Sequence, residues 1–180
     1  MNRVHRVTVG LAVAALTAIG AGAAAVPAGA SAPESQGASD QRNVPEAIRV
    51  LPGNRRIAVM PARGVQTYQC TNGVFTFVQP DAILKHHGRA EVLHSRGPVW
   101  TDVFDGSSVT ATGDGTSPVP GAIPELRLKA TAHRGPGLLA DVTFIQRLHT
   151  RGGVAPTGSC TEGVTASVPY TADYAFWVAG

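Results

Sequence analysis

Glycine and proline recur along the chain and limit how far any regular element can run. The 180 residues include 21 Gly and 13 Pro, and beyond residue 44 they divide the sequence into short segments. Proline breaks the interior of a helix and glycine weakens it, so this punctuation disfavours long helices. It suits short strands joined by tight turns, and it predicts a domain built mainly from β-structure.

Two segments show the alternation of apolar and polar residues that is typical of a half-buried strand. Residues 122–132 alternate aliphatic and charged side chains, a period of two that matches a strand with one buried face. Residues 141–148 are interpreted in the same way. We expect Val142 and Phe144 to share the apolar face of that strand and Arg147 to lie on the polar face.

Turn signals divide other apolar segments into hairpins. Asn72-Gly73 and Asp105-Gly106 each lie between apolar runs, and these dipeptides favour tight hairpin turns. Residues 170–178 are rich in aromatics and predict a final strand, whereas 80–87 is the one segment compatible with a short helix. The expected fold is a single all-β domain, either a β-sandwich or a closed barrel, with at most one short helix.

The N-terminal segment has the composition of a secretory signal peptide. Two arginines precede a stretch without charge, 7–26, and Ala28-Gly29-Ala30 supplies a small-x-small cleavage pattern. We therefore predict a signal peptide at 1–30, a flexible tail at 31–43 and the all-β domain at 44–180. The alternative is an uncleaved anchor, because twenty uncharged residues can just span a bilayer. We expect secretion, with no stable membrane insertion after cleavage.

The charge balance argues against nucleic acid as a partner. Two of the 15 basic residues and none of the 12 acidic ones lie in 1–30, which leaves 13 against 12 and a net charge of about +1. Such a balance provides no electrostatic surface for nucleic acid or an anionic membrane. The chain also has no Gly-x-Gly-x-x-Gly turn between a strand and a helix, so we predict no dinucleotide or other cofactor.

Cys70 and Cys160 are the two cysteines of the chain. An even number of cysteines in an exported protein is most often disulfide-bonded, because the compartment outside the membrane is oxidising. We predict a Cys70–Cys160 disulfide rather than a cysteine nucleophile. In the chain-entropy model, closing a loop of about ninety residues stabilises the fold by about 4.5 kcal/mol.

Candidate functional residues surround the second hairpin. His94, Trp100 and Asp105 are interpreted as a ligand-binding set for a small molecule or glycan, although Trp100 is also expected to pack in the core. The favoured function is a non-catalytic exported binding or structural module. The alternative is an extracellular hydrolase or metal-dependent enzyme that uses His94 with Asp102 or Asp105. No residue is assigned as catalytic or as a metal ligand, and the sequence leaves the oligomeric state open.

Several ordered runs resemble one family of exported proteins. They include 65–70, His94 with 97–100, 145–147 and 168–174. In this order they resemble the family called domain of unknown function 3455, over nearly the whole domain. The resemblance implies an extracellular β-rich domain without an established activity. The sequence departs from the family at Glu125, where the family tends to have Trp.

Overall fold

The structure, a computed structural model, describes residues 41–180. The signal peptide predicted at 1–30 and residues 31–40 of the predicted tail lie outside this range. Eight antiparallel strands form one sheet in which each strand pairs with the next and the last pairs with the first. The strands are β1 Asn54–Thr71, β2 Val74–His86, β3 Arg89–Ser95, β4 Val99–Asp102, β5 Ser108–Val119, β6 Ala122–Arg134, β7 Val142–Gly152 and β8 Thr165–Ala179.

This pairing confirms the all-β prediction and decides between its two alternatives. The sheet closes into a barrel, not a sandwich, because β1 pairs along most of its length with β8, from Asn54 opposite Ala179 to Gln69 opposite Thr165. Closure gives each of the eight strands a paired neighbour on both sides. The predicted Asn72-Gly73 turn joins β1 to β2, and both residues have the positive φ, 53° and 79°, that this turn requires.

The segment considered for a short helix is instead part of β2, and that interpretation was wrong. Pro80, Ala82 and Leu84 are buried, whereas Asp81 and Ile83 between them are exposed. This period of two is that of a strand, and it places the buried residues opposite the inward-facing side of β1. The one helical element of the described chain is a single 3-10 turn, Glu46–Ile48.

Strand β7 carries an irregularity that changes which side chains face the barrel interior. The pairing of β7 with β8 shifts register between Val142 and Phe144. Val142 therefore packs in the interior core, while Phe144 belongs to a separate apolar cluster on the outside of the barrel. The prediction that these two residues share a face was wrong. Arg147, predicted on the polar face, lies opposite the buried Tyr174 and faces inward.

Residues 41–50, the N-terminal strap, cover the outer apolar cluster. Val50 packs with Phe144 and Trp177 on the outer face of β7 and β8. Gln146, itself 1% exposed, donates to the Ile48 carbonyl at 2.7 Å and accepts from the Trp177 indole at 2.9 Å. Gln41 is also buried in this contact, so the part of the predicted tail that the structure describes packs against the barrel.

The predicted disulfide is present between Cys70 at the end of β1 and Cys160 in the loop that joins β7 to β8. Cys70 also exchanges backbone hydrogen bonds with this loop, to Val164 at 2.8 Å and from Gly163 at 3.0 Å. The β7–β8 loop is thereby fixed to the same end of the barrel as the β1–β2 turn and the β3–β4 turn. We call this end the disulfide end.

Candidate functional site

A pocket of about 300 Å³ lies inside the barrel at the disulfide end. The strands and turns that meet there supply mainly apolar and aromatic side chains. The lining residues are Gln66, Tyr68, Phe77, Val78, Pro80, His94, Gly97, Pro98, Trp100, Ile123, Pro124, Leu126, Leu128, Arg147 and Tyr174. An eight-stranded barrel is just wide enough to be filled by side chains or to hold one small ligand. Here side chains fill the middle and leave a concave site at one end.

Three aromatic rings in mutual contact form the inner wall of the pocket. His94 and Trp100 lie opposite each other on β3 and β4, and their rings stack with centroids 4.1 Å apart and an interplanar angle of 5°. The Tyr174 ring meets both edge-on, at 5.3 Å from His94 and 5.7 Å from Trp100. Trp100 is 1% exposed, which confirms the expectation that it packs in the core.

Two buried nitrogen atoms on the pocket wall lack hydrogen-bond partners within residues 41–180. They are Nε2 of Gln66 and Nε1 of Trp100, on side chains whose residues are 3% and 1% exposed. A buried polar group without a partner costs about 1–3 kcal/mol, so native proteins rarely leave one unsatisfied. Both atoms belong to residues that line the same pocket, so the unsatisfied donors lie on side chains that a ligand in the cavity would contact.

His94 is held as a neutral imidazole. Burial is the largest effect and lowers the pKa of His94 from 6.5 to about 4. The positive charge of Arg147 also lowers this pKa, whereas the hydrogen bond to the Val99 carbonyl and the negative charge of Asp81 raise it. Nδ1 lies 3.1 Å from the Val99 oxygen. Because a carbonyl oxygen only accepts, Nδ1 carries the proton and Nε2 keeps its lone pair.

Arg147 is the one charged residue among the described residues that line the pocket. Its Nε and Nη2 atoms donate to the Pro124 carbonyl at 3.1 and 2.8 Å. Burial raises the pKa of Tyr174, and the Arg147 guanidinium opposes that shift through its charge and a hydrogen bond. The guanidinium therefore lies against the aromatic wall, at the polar side of an otherwise apolar cavity.

The three residues predicted to bind a ligand do not converge. His94 and Trp100 meet in the pocket, but Asp105 lies in the β4–β5 turn, at the opposite end of the barrel from the β3–β4 turn. Its carboxylate accepts from the backbone N–H groups of Ser107 and Leu138, both at 2.7 Å. Hydrogen bonds from Ser107 and from the Leu138 backbone lower the pKa of Asp105. Asp105 thus joins two loops away from the pocket.

The geometry required by the enzyme alternative is also absent from the described residues. Asp102 is 2% exposed, and its carboxylate accepts from the backbone N–H groups of Phe104 and Asp105. Neither Asp102 nor Asp105 hydrogen-bonds to His94, and neither lines its pocket. Within residues 41–180 no three His, Cys, Asp or Glu side chains are grouped so that they could hold a metal ion.

Two imidazole–carboxylate pairs do occur, but both lie outside the pocket. His86 contacts Glu91 at 2.9 Å, and His149 contacts Asp173 at 2.9 Å. The His149 side chain is 75% exposed. An exposed pair of this kind contributes little to stability.

Sequence reasoning missed Gln66, Arg147 and Tyr174 as pocket residues. All three lie in the runs that carry the family resemblance, where their order along the chain gave no indication of a shared cavity. Gln66 had one detectable signal: it is a polar residue at an inward position of a strand that is otherwise apolar on that face, as at Ala62 and Tyr68. Arg147 had none, because the register shift in β7 is not visible in the pattern.

Comparison with known proteins identifies a family and no individual relative. The family model described as protein of unknown function DUF3455 matches residues 84–178, which is more than half of the chain and includes His94, Trp100, Arg147 and Tyr174. No curated protein and no solved structure matches the sequence. The described residues contain no helix with the length and hydrophobicity needed to cross a bilayer. The chain belongs to the DUF3455 family.

Proposed function

We propose that this protein is an exported carrier or receptor domain that binds one small, mainly apolar molecule in the pocket at the disulfide end. The observation that carries the proposal is the pair of unpartnered donors, Gln66 Nε2 and Trp100 Nε1, on the wall of an apolar cavity. Ligand sites in proteins are typically concave and apolar, with a few polar groups that orient the ligand. A molecule with a hydrogen-bond acceptor would satisfy both donors.

The shape and lining of the cavity favour a small ring compound over a glycan. Tyr68, Phe77, Trp100 and Tyr174 supply flat apolar surfaces, and Phe77 is 55% exposed at the rim. A volume of about 300 Å³ is at the lower end of the range for small-molecule sites. Oligosaccharides are bound through many polar groups, and this pocket has few.

A fluorescent probe tests the binding proposal directly. We expect 1-aminoanthracene, an uncharged aromatic amine, to bind saturably and to gain fluorescence as it leaves water. Val78→Trp places a large ring on the pocket lining and should abolish this binding. Ile83→Trp is the matched control, because it adds the same ring on the outer face of the same strand, where Ile83 is 49% exposed.

Two results would overturn the binding proposal. One is the absence of saturable binding to the wild-type protein, and the other is equal binding by Val78→Trp and Ile83→Trp. Saturable binding of an oligosaccharide, in place of the aromatic probe, would also contradict the assignment of an apolar ligand.

Export is supported by the signal-like sequence at 1–30 and by the disulfide, which persists in an oxidising compartment. We expect protein recovered from the culture medium to begin at Ser31, as determined by mass spectrometry of its N-terminal peptide. Recovery of the protein with residues 1–30 intact from the cell membrane would contradict secretion and favour the anchor.

A further inference from the structure

The polar groups of the pocket are mainly hydrogen-bond donors. Gln66 Nε2 and Trp100 Nε1 are unpartnered among the described residues, and Arg147 adds a guanidinium with five N–H groups, of which two point to Pro124. The side-chain acceptors of the lining are His94 Nε2, the Gln66 amide oxygen and the tyrosine hydroxyls, and none of them carries a negative charge. A ligand that satisfies this set must therefore supply acceptors.

The charge of Arg147 is not paired by a carboxylate within residues 41–180. No Asp or Glu oxygen of that range lies within 4.0 Å of its guanidinium. Asp81 is the carboxylate that acts on the same groups, since its charge raises the pKa values of His94 and Tyr170. However, Asp81 is exposed and accepts from Gln79 Nε2 at 2.8 Å, so it does not neutralise the pocket.

A cation on an apolar wall favours an anion over a neutral ligand. Hydrogen bonds between an ionised donor and an ionised acceptor are about twice as strong as neutral ones. A carboxylate also has two oxygens and about four lone-pair positions, enough to accept from Arg147 and from the neighbouring amide and indole donors together.

We infer that the pocket binds a small monocarboxylate with an apolar, ring-containing body, whose carboxylate pairs with Arg147 and accepts from Gln66 and Trp100. The inference rests on the proposed function, because it names the chemical class of the molecule in that pocket. The ring lies between Tyr68, Phe77 and the aliphatic side chains of β6. Arg147 is then the residue that determines specificity for an acid.

The test compares an acid with its uncharged isostere. Calorimetric titration of the protein with 2-naphthoate and with 2-naphthamide holds the ring system constant and changes only the charge. We expect 2-naphthoate to bind at least about tenfold more tightly, since a charge-assisted hydrogen bond contributes about 1.5–3 kcal/mol. High salt should reduce this advantage by screening the charge of Arg147.

Variants test whether Arg147 causes the preference for the acid over the amide. Arg147→Met keeps much of the side-chain length but removes the charge, so it should bind the acid and the amide about equally. Arg63→Met is the matched control, because Arg63 is an exposed residue in β1. Arg147→Lys keeps the charge without the planar pair of donors and should retain part of the preference. It also keeps the test valid if Arg147→Met does not fold.

The possible failures are distinguishable. If neither naphthalene compound binds saturably, the proposed function fails. If 2-naphthamide binds as tightly as 2-naphthoate to the wild-type protein, the pocket is a binding site but the assignment of an acid is wrong. If both Arg147→Lys and Arg147→Met bind the acid as tightly as the wild-type protein does, Arg147 is not the group that recognises it.

Discussion

The imidazole of His94 stacks on the indole of Trp100 with ring centroids 4.1 Å apart and nearly parallel planes. The two stacked rings belong both to the core of the barrel and to the pocket. Both rings are buried and contribute to the core, and both line the pocket at the disulfide end. Substitutions here should therefore affect stability and binding separately, according to which atoms they remove.

Replacing Trp100 by Ala should lower the free energy of unfolding by about 3–5 kcal/mol, because it removes a fully buried ring and leaves a cavity. Urea denaturation followed by circular dichroism measures the change. Phe104→Ala is the control for loss of an aromatic ring, since Phe104 is 61% exposed and its replacement should cost less than about 1 kcal/mol. Equal stability of Trp100→Ala and wild type would mean that the ring is not part of the core.

Replacing Trp100 by Phe should have a different effect. Phenylalanine keeps most of the stacked surface and removes the unpartnered Nε1 donor, so the loss of stability should be smaller than for Ala. Binding of 2-naphthoate should nevertheless weaken, because one donor to the carboxylate is absent. Unchanged naphthoate affinity in Trp100→Phe would remove the indole from the binding set.

The stability of the protein should fall as the pH is lowered from about 6.5 to 4. The pKa of His94 is about 4 in the folded state, against 6.5 for an imidazole in water. Between these values the unfolded chain binds a proton at this residue and the folded chain does not, so stability rises with pH across the window. The contribution of His94 should reach about 3 kcal/mol. Urea denaturation at several pH values measures it.

His94→Gln should reduce the slope of stability against pH in this window, whatever its effect on absolute stability. The exposed His87, changed to Gln in the same way, is the control for loss of an imidazole. A slope in His94→Gln equal to that of the wild-type protein would contradict the assignment of His94 as a neutral buried group.

Replacing both Cys70 and Cys160 by Ser should lower the free energy of unfolding by about 4–5 kcal/mol, because the unfolded chain regains the freedom of a loop with a sequence separation of 90. The loop between β7 and β8 should lose protection in hydrogen exchange before the strands do, since the disulfide and two backbone bonds hold it to Cys70. Equal denaturation curves for oxidised and reduced wild-type protein would argue against this role.

Gln146→Ala should release the N-terminal strap. Gln146 connects the Ile48 carbonyl to the Trp177 indole, and its loss leaves both groups buried and unpaired, at about 1–3 kcal/mol each. Limited proteolysis should cut within residues 41–50 faster in this variant. Gln69→Ala, at an exposed position of β1, is the control. Equal cleavage rates in the two variants would show that Gln146 does not hold the strap.

Only some of the residues that line the pocket could be predicted from the sequence. His94 and Trp100 were identified because a histidine and a tryptophan beside a predicted hairpin are conspicuous. Asp105 was grouped with them because it is near in sequence, yet β4 has only four residues, Val99–Asp102, and carries the chain to the other end of the barrel. In an antiparallel sheet, successive turns lie at opposite ends, so proximity along the chain does not bring their residues together.

By itself, the sequence determined much of the local structure: the strands at 122–132, 141–148 and 170–178, the Asn72-Gly73 turn that reverses the chain, and the two cysteines that could pair. These features depend on neighbouring residues, whose periodicity and turn preferences can be recognised directly. Only the tertiary structure decided that β1 closes on β8 into a barrel, that Arg147 faces inward, and that Gln66 meets Trp100 in one cavity. The reason is physical: closure and convergence depend on register between distant segments, and one register shift in β7 reverses the face on which a side chain lies.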